Sequence, residues 1–238
     1  MTRREDLRLI TGQGRYTSDC NLPRQLHTVF LRADRAQAEI VRIDTAKALQ
    51  HPGVIAIYTS ADIAEAGFKS LPNPVGFTGR GGMAMQKPLF PVLATTQVHY
   101  VGECVAMVIA DTTAHAEDAR DLLEVTYRDL PCVTTVDAAL KPGAPLVHAD
   151  VPGNLAFDYE SGDEQAVAAA FAQAKFVSKV TAESQRLIGN PMEPRALLVA
   201  FDAASGRYTM HTLLQGQSGM RAQLMNVSGL DKDKIEPI

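Results

Sequence analysis

The chain has few of the features that are typical of disulfide-rich or nucleic-acid-binding proteins. Its three cysteines, Cys20, Cys104 and Cys132, are odd in number and widely spaced, which argues against a disulfide framework. Acidic residues outnumber basic ones by 27 to 23, and the net charge is −4. Because a nucleic-acid-binding surface needs an excess of basic residues, we expect no nucleic-acid partner.

Long apolar runs are also missing. The longest uncharged run covers residues 88–102, and two prolines and several polar side chains interrupt it. A helix that crosses a bilayer needs roughly 20 apolar residues in succession. The first residues, MTRREDLR, are charged where a secretion signal would be apolar. The sequence therefore predicts no membrane span and a cytoplasmic protein.

The chain does have enough apolar material for a packed core, since 46% of its 238 residues are hydrophobic. Apolar and β-branched runs predict strands over 26–32, 38–44, 54–59, 99–110 and 124–131. A turn is predicted at the start of the 99–110 strand. Short helices are predicted over 45–49 and 61–66, and a longer amphipathic helix over 113–124. Residues 67–91 contain four prolines and five glycines, which predicts a long loop. The helix between the last two strands predicts an α/β layer.

A second region rich in proline and glycine, residues 141–153, predicts a boundary between two units. Beyond it, Asp163 is placed to cap a helix that runs to about residue 174. Strands are predicted over 175–186, 195–202 and 207–214, with a hairpin turn over 203–206 and a final helix over 216–229. The predicted organisation is a lead-in segment (1–18), a first domain (19–140), a linker (141–153) and a second unit (154–238). The fold class is mixed α/β, or α+β.

The glycine-rich pieces and the histidines complete no standard chemical motif. Residues 12–16 and 79–82 contain closely spaced glycines, but neither follows a strand and opens a helix as a dinucleotide or phosphate loop does. Residues 216–219 are one residue short of the serine hydrolase elbow. The six histidines form no local pair, and no CxxC occurs. The sequence therefore predicts no metal ligand and no catalytic residue.

Glu193 stands in an unusual position, because prolines at 191 and 194 bracket it and fix the backbone around it. A carboxylate held this rigidly suits acid/base chemistry. The alternative is structural: Glu193 accepts backbone N–H groups, or pairs with Arg195 or Arg186, and locks a corner. With no second catalytic group nearby in the sequence, we favour the structural role.

Gln215, Gly216 and Gln217 follow a predicted strand and open a predicted helix. A glutamine side chain offers two donors and two acceptor lone pairs without charge, so it can hydrogen-bond an oxo ligand or a carbonyl. The glycine beside it permits close approach of a cofactor. The alternative interpretation is that these residues only cap the start of the helix.

Four stretches of the chain, residues 3–23, 26–63, 91–140 and 189–235, resemble the large subunit of molybdenum hydroxylases, the family of xanthine dehydrogenase, aldehyde oxidase and carbon monoxide dehydrogenase. The stretch RREDLRLITGQGRYTSDCNLP (3–23), with 26–63, resembles the start of that subunit. Residues 91–140 resemble the second half of its α/β-hammerhead domain. Residues 189–235, GNPMEPRALLVAFD onward, resemble the opening of its molybdopterin-binding domain. The matching stretches occur in the family's order over nearly the whole chain.

The resemblance implies a hammerhead domain followed by the beginning of a molybdopterin-binding domain. It also implies a molybdenum–molybdopterin cofactor and an oxidoreductase that takes oxygen from water. Electrons would pass to iron–sulfur and FAD groups on partner subunits. By position, Gln215 matches the family glutamine that hydrogen-bonds an oxo ligand of molybdenum, so Gln215, Gly216 and Gln217 are the predicted cofactor-binding residues. Glu193 matches a recurrent glutamate, which we take as architectural.

The chain also departs from the family pattern. The family's glycine-rich cofactor loop would follow Ile238, and its base glutamate near the end of a much longer chain is absent. Gln37 stands where the family often has a histidine. We therefore expect the N-terminal portion of a molybdopterin-binding subunit, inactive alone, whose partners are the rest of that subunit and the iron–sulfur and FAD-binding subunits. The alternative is a non-catalytic hammerhead module that has lost the cofactor site.

Overall fold

The computed structural model of the protein describes residues 3–185 and 187–238. The described residues form nine strands, which lie in three sheets of three strands each. The strands are β1 (His27–Arg32), β2 (Ala38–Asp44), β3 (Val54–Tyr58), β4 (Gln97–Val98), β5 (Cys104–Ala110), β6 (Glu124–Asp129), β7 (Leu197–Asp202), β8 (Arg207–Thr212) and β9 (Ile235–Pro237).

Most of the helices are short. The α-helices are α1 (Asp6–Ile10), α2 (Ala46–Leu49), α3 (Ser60–Glu65), α4 (Thr113–Asp121), α5 (Val136–Ala139), α6 (Glu164–Gln173) and α7 (Gln217–Ser228). Single 3-10 turns cover Thr17–Asp19, Arg80–Gly82, Pro152–Asn154 and Lys232–Lys234. No helix in the described part of the chain is both long and apolar enough to span a bilayer.

The first sheet has β5 at its centre, with β1 and β3 antiparallel on either side. Helix α4 packs across this sheet and also contacts α2. The residues buried between them are mostly small and apolar: Ala48, Ala106, Val108, Ala110, Ala116, Ala119 and Leu123. Because alanine adds little bulk, the helix lies close to the sheet, and a larger or charged side chain has no room in this core.

The second sheet places β2 between β4 and β6, again with antiparallel pairing. Its core contains Ala33, Ala38, Ala94, Val98 and Val105, with Ile40, Ile43, Val125 and Tyr127 against it. Val105 belongs to β5, whose next residue, Ala106, faces the first core. Since successive side chains of a strand point to opposite faces, β5 joins the two cores.

The third sheet consists of residues from the second half of the chain. Strands β7 and β8 form an antiparallel hairpin, and β9 pairs with β8 in parallel. A parallel pair needs a crossover connection, and α7 provides it between β8 and β9. Val227 of α7 and Ile235 of β9 are buried where the helix meets the sheet. This arrangement places the start of α7 directly after the end of β8.

Most of the predicted elements are confirmed, and so is the mixed α+β class. The predicted strands that correspond to β1, β2, β3, β6, β7 and β8 are present, with shifts of no more than two residues at their ends. The predicted cap of α6 is also present, since the Asp163 carboxylate accepts the Ala166 N–H. At the start of α4, the Thr112 hydroxyl accepts the His115 N–H.

The prediction of a strand over 175–186 is wrong for the residues that the structure describes. Residues 175–185 form no strand, and Arg186 lies outside the described residues. The β-branched pattern there is real, but a strand needs a neighbouring backbone to bond with, and no described strand pairs with this segment. Phe176 and Val180 are accordingly 83% and 86% exposed.

The turn predicted at the start of the 99–110 strand is confirmed. The Glu103 carboxylate accepts the His99 N–H at 2.6 Å and closes this turn, so the strand itself begins at Cys104. The prediction of a single α/β layer needs correction. Strands β5 and β6, which flank α4, lie in different sheets, so they do not form one α/β layer. The short strands β4 and β9 were not predicted, since runs of two or three residues carry no readable period.

Candidate functional site

The three predicted cofactor-binding residues lie together in the turn between β8 and α7. Thr212 ends β8, and Gln217 is the first residue of α7. Gly216 is the N-cap residue of this helix and has an extended backbone. Gln215, Gly216 and Gln217 are all exposed, and a Cβ added to Gly216 would meet nothing within 4 Å. The turn therefore leaves open space beside Gly216.

The start of α7 offers hydrogen-bond donors. No side chain caps this helix, and its first internal bond runs from the Met220 N–H to the Gly216 carbonyl. The N–H groups of residues 217–219, in the first turn of α7, have no intrahelical acceptor, as at the start of any α-helix. Together with the Gln215 carboxamide, they form a set of neutral donors that suits an oxo or anionic acceptor.

Arg221 lies one turn further along α7 and was not singled out from the sequence. Its Nε atom is buried and has no hydrogen-bond partner among the described residues. Arginine on a helix is ordinarily solvated, so the sequence pattern carries no signal for such a donor. Buried polar groups in folded proteins are nearly always hydrogen-bonded, so Arg221 Nε is an exception within the described part of the chain.

Glu193 has the structural role that we favoured. Its Oε1 atom accepts the Thr17 N–H at 3.2 Å and the Thr17 hydroxyl at 3.3 Å. Glu193 therefore ties the lead-in segment to the corner just before β7. The alternative pairing with Arg186 lies outside the described residues.

The predicted linker is fastened to the first domain by polar contacts. The side chain of Gln37 is buried and donates from Nε2 to the Leu146 carbonyl at 2.9 Å. Asn154 donates to the Ala139 and Pro145 carbonyls and accepts the Val147 N–H. We use the name junction for residues 141–154 together with Gln37. Its contacts fix the path of the chain between the two units.

Two histidines far apart in the sequence meet at the junction. The rings of His99 and His148 stack with centroids 4.4 Å apart, and the buried Glu103 carboxylate lies 3.5 Å from His99 Nδ1. Burial, and after it the charge on a protonated His99, holds the pKa of His148 below its usual 6.5, while Asp150 and Glu103 oppose this shift. Three potential metal ligands do not gather here or elsewhere in the described residues.

Acidification is expected to weaken the junction. Because the pKa of His148 is lower in the folded chain than the unfolded value of 6.5, the unfolded state takes up the proton first. The contribution of His148 to the free energy of unfolding is then fully present above pH 6.5. It decreases as the pH drops through 6.5 and stops changing below the pKa of His148 in the folded chain. His148 is only half-buried, so we expect a loss below about 1 kcal/mol.

Urea unfolding of the wild type and of His148→Gln at pH 7.5 and pH 5.5 measures this loss. The glutamine variant should be less sensitive to pH than the wild type. His211→Gln is the control, because His211 lies in β8 of the third sheet. Equal pH sensitivity of His148→Gln and the wild type would contradict the prediction.

The long loop over 67–91 is held by hydrogen bonds to residues of the second unit. The Arg80 and Gln86 N–H groups donate to the Asp158 and Ala156 carbonyls, each at 2.7 Å. The Arg80 guanidinium also lies 3.1 Å from the Glu160 carboxylate. A Cβ on Gly79 would overlap the Asp158 carbonyl, so this approach requires glycine. Another N–H of the loop, that of Lys69, bonds the Val227 carbonyl of α7 at 2.8 Å.

Two family models match successive parts of the chain. The model of the aldehyde oxidase and xanthine dehydrogenase a/b hammerhead domain matches residues 11–131. The model of the molybdopterin cofactor-binding domain matches residues 147–238. The turn over 215–217 lies within the second match.

Curated proteins and solved structures agree with these matches. The chain is 32% identical to the carbon monoxide dehydrogenase large chain of Afipia carboxidovorans over 99% of its length and 29% of that protein. It is 34% identical to the nicotine 6-hydroxylase large subunit of Paenarthrobacter nicotinovorans over 99% of its length and 28% of that protein. The crystal structure of quinoline 2-oxidoreductase from Pseudomonas putida 86 superposes on the whole chain and 29% of that chain, with a TM-score of 0.86 and 33% identity.

Fold and matches together define a hammerhead domain joined to residues of a molybdopterin cofactor-binding domain. The chain belongs to the aldehyde oxidase and xanthine dehydrogenase family. Its relatives include the large subunits of molybdenum hydroxylases, and it spans about 29% of their length. The resemblance read from residues 3–23, 26–63, 91–140 and 189–235 is thereby confirmed.

Proposed function

We propose that this chain contributes one wall of the molybdenum site in a molybdenum hydroxylase, and that Gln215, Gly216 and Gln217 face the cofactor. The observation that carries the proposal is the exposed, uncapped turn at the start of α7, which lies inside the molybdopterin-domain match. The bound molybdenum–molybdopterin group would supply the redox chemistry that hydroxylates or oxidises the substrate with oxygen from water.

Each residue of the turn has a distinct role in this proposal. The Gln215 carboxamide donates a hydrogen bond to an oxo ligand and remains neutral, so it adds no charge to the site. Gly216 leaves the approach open, since no side chain fills the space beside it. Gln217 begins the helix, and its N–H is one of the free donors of the first turn.

The partners follow from the same assignment. Strand β7 exposes Leu197, Val199 and Phe201 on one face, and α6 exposes Val167 and Phe171. Clustered apolar side chains on a surface mark contacts with other protein. We propose that the remaining part of the molybdopterin-binding subunit covers them.

Further subunits complete the proposed assembly. Iron–sulfur and FAD-binding subunits would receive the electrons in the cytoplasm. One relative, from Paenarthrobacter nicotinovorans, is named as subunit gamma of the 6-hydroxypseudooxynicotine dehydrogenase complex, which supports a multi-subunit arrangement.

Replacing Gln215 with alanine in the assembled enzyme is expected to lower kcat by about 10- to 100-fold. The reason is the loss of a neutral donor beside the metal group, and contacts around a metal centre typically carry effects of this size. Turnover should be measured together with the molybdenum content of each preparation. Gln223→Ala is the matched control, because Gln223 is an exposed glutamine of the same helix.

Unchanged turnover of Gln215→Ala at full molybdenum content would remove Gln215 from the site. A purified assembly that contains this chain but no molybdenum would instead favour the non-catalytic hammerhead module.

A further inference from the structure

Glu193 and Thr17 form the polar contact that joins the lead-in segment to the third sheet. Both bonds end on one carboxylate oxygen, Oε1, and their donors lie 176 positions earlier in the chain. Thr17 is the first residue of a 3-10 turn, where the backbone N–H has no partner within the turn. Glu193 therefore supplies the acceptor that this N–H otherwise lacks. We call this pair the Thr17–Glu193 clamp.

The backbone on the Glu193 side of the clamp is stiff. Pro191 and Pro194 bracket Met192 and Glu193, and the pyrrolidine rings fix φ at two of these four positions. The charged carboxylate also makes stronger hydrogen bonds than a neutral acceptor would. A displacement of Thr17 is consequently transmitted to the chain that enters β7.

The same end of the sheet carries the Gln215 turn. Leu197, the first residue of β7, is the register partner of Thr212, the last residue of β8. The Thr212 hydroxyl donates to the Ala196 carbonyl at 3.0 Å. Ala196 lies between the clamp and β7, and the turn that carries Gln215 begins immediately after Thr212. The clamp and the Gln215 turn are thus connected through the hydrogen bond between Thr212 and Ala196.

We propose that the Thr17–Glu193 clamp positions the Gln215 turn. By holding the lead-in segment against the entry to β7, the clamp restrains Ala196, and Ala196 restrains Thr212 and the turn that follows it. Glu193 is a positioning residue, since it contacts the turn only through these intermediates. The proposal rests on the function assigned above to Gln215, but its structural part is measured independently of that function.

Hydrogen exchange in the assembled protein, with Glu193→Ala and Glu193→Gln, tests the clamp. In Glu193→Ala, we expect the amide of Thr17 to exchange at least tenfold faster than in the wild type. We expect the same of exchange at the 213–217 turn, which is followed through the two hydrogen-bonded amides at its borders, those of Thr212 and Met220. Glu193→Gln should retain most of the protection, because the amide oxygen still accepts both bonds. Glu183→Ala is the control, since Glu183 is an exposed glutamate of the preceding segment.

Faster exchange at Thr17 with no change at 213–217 would overturn the proposal, because the clamp would then hold only the lead-in segment. If Glu193→Ala fails to fold, Thr17→Val removes only the hydroxyl donor, and Thr17→Ser retains it. In that pair, the valine variant alone should exchange faster at 213–217, and equal rates would again overturn the proposal.

Kinetics separate this inference from the proposed function. We expect Glu193→Ala to lower kcat several-fold with little change in KM, and Glu193→Gln to restore it. If Gln215→Ala leaves turnover unchanged while Glu193→Ala accelerates exchange at 213–217, the proposed function fails and the clamp stands. If Gln215→Ala abolishes turnover while exchange at 213–217 is the same in every Glu193 variant, the clamp fails and the proposed function stands.

Discussion

Replacing Val108 with aspartate is expected to lower the free energy of unfolding by about 4 kcal/mol or more. Val108 of β5 is 0% exposed and lies in the first core, where its neighbours are alanines and other apolar side chains. A carboxylate there has no partner, and burying an unpaired charge costs several kcal/mol. Because a domain is stable by only about 5–15 kcal/mol, the first sheet should lose most of its stability. Urea unfolding followed by circular dichroism measures the change.

The matched control places the same substitution on the surface. Val41 lies in β2 and is 55% exposed, so Val41→Asp should change stability by less than about 1 kcal/mol. A loss of similar size in both variants would mean that strand propensity, and not burial, decides the effect at Val108.

Replacing Gly53 with alanine is expected to cost about 2–4 kcal/mol through two separate causes. Gly53 has a φ of +81°, in the left-handed region, where a side chain costs about 1–2 kcal/mol. In addition, the new Cβ would overlap His115 Nδ1 and Asp111 Oδ1, which bond each other at 2.6 Å. This bond holds the pKa of the Asp111 carboxyl below its usual value, so the overlap also disturbs a charged contact.

Gly67→Ala separates the two causes. Gly67 has nearly the same φ, +77°, but a Cβ there would meet nothing within 4 Å. Its alanine variant should therefore lose only the left-handed strain, about 1–2 kcal/mol. Combining Gly53→Ala with His115→Ala should recover part of the difference in urea unfolding. Equal losses at the two glycines would show that the overlap at Gly53 is relieved without cost.

The elements that the sequence predicted well are those whose signal is local. The helix of α7 was readable because glycine marks both its ends, and the turn over 215–217 was readable because a glutamine and a glycine follow a strand. Glu193 was noticed because two prolines bracket it, but its partner Thr17 was not predictable. The residues around position 17 and those around position 193 carry no pattern that predicts their contact.

The features that were missed depend on long-range packing. His99 and His148 form no sequence pair, yet the junction stacks their rings. The sequence placed β5, α4 and β6 in one layer, whereas packing divides the two strands between two sheets. The predicted strand over 175–186 has the right local pattern, but the described part of the chain provides no strand to pair with it. Pairing partners are a tertiary property, so pattern alone does not identify them.

The central position of β5 in the first sheet also affects how the chain folds during its synthesis on the ribosome. Among the described strands, β1 and β3 each pair with β5 alone, and β5 is synthesised after both of them. At roughly 5–20 residues per second, β1 waits about 4–16 s for its partner. During that interval two apolar strands have open edges, which are prone to pair with other chains. We therefore expect a nascent chain arrested before Cys104 to bind chaperones more strongly than one arrested after Ala110.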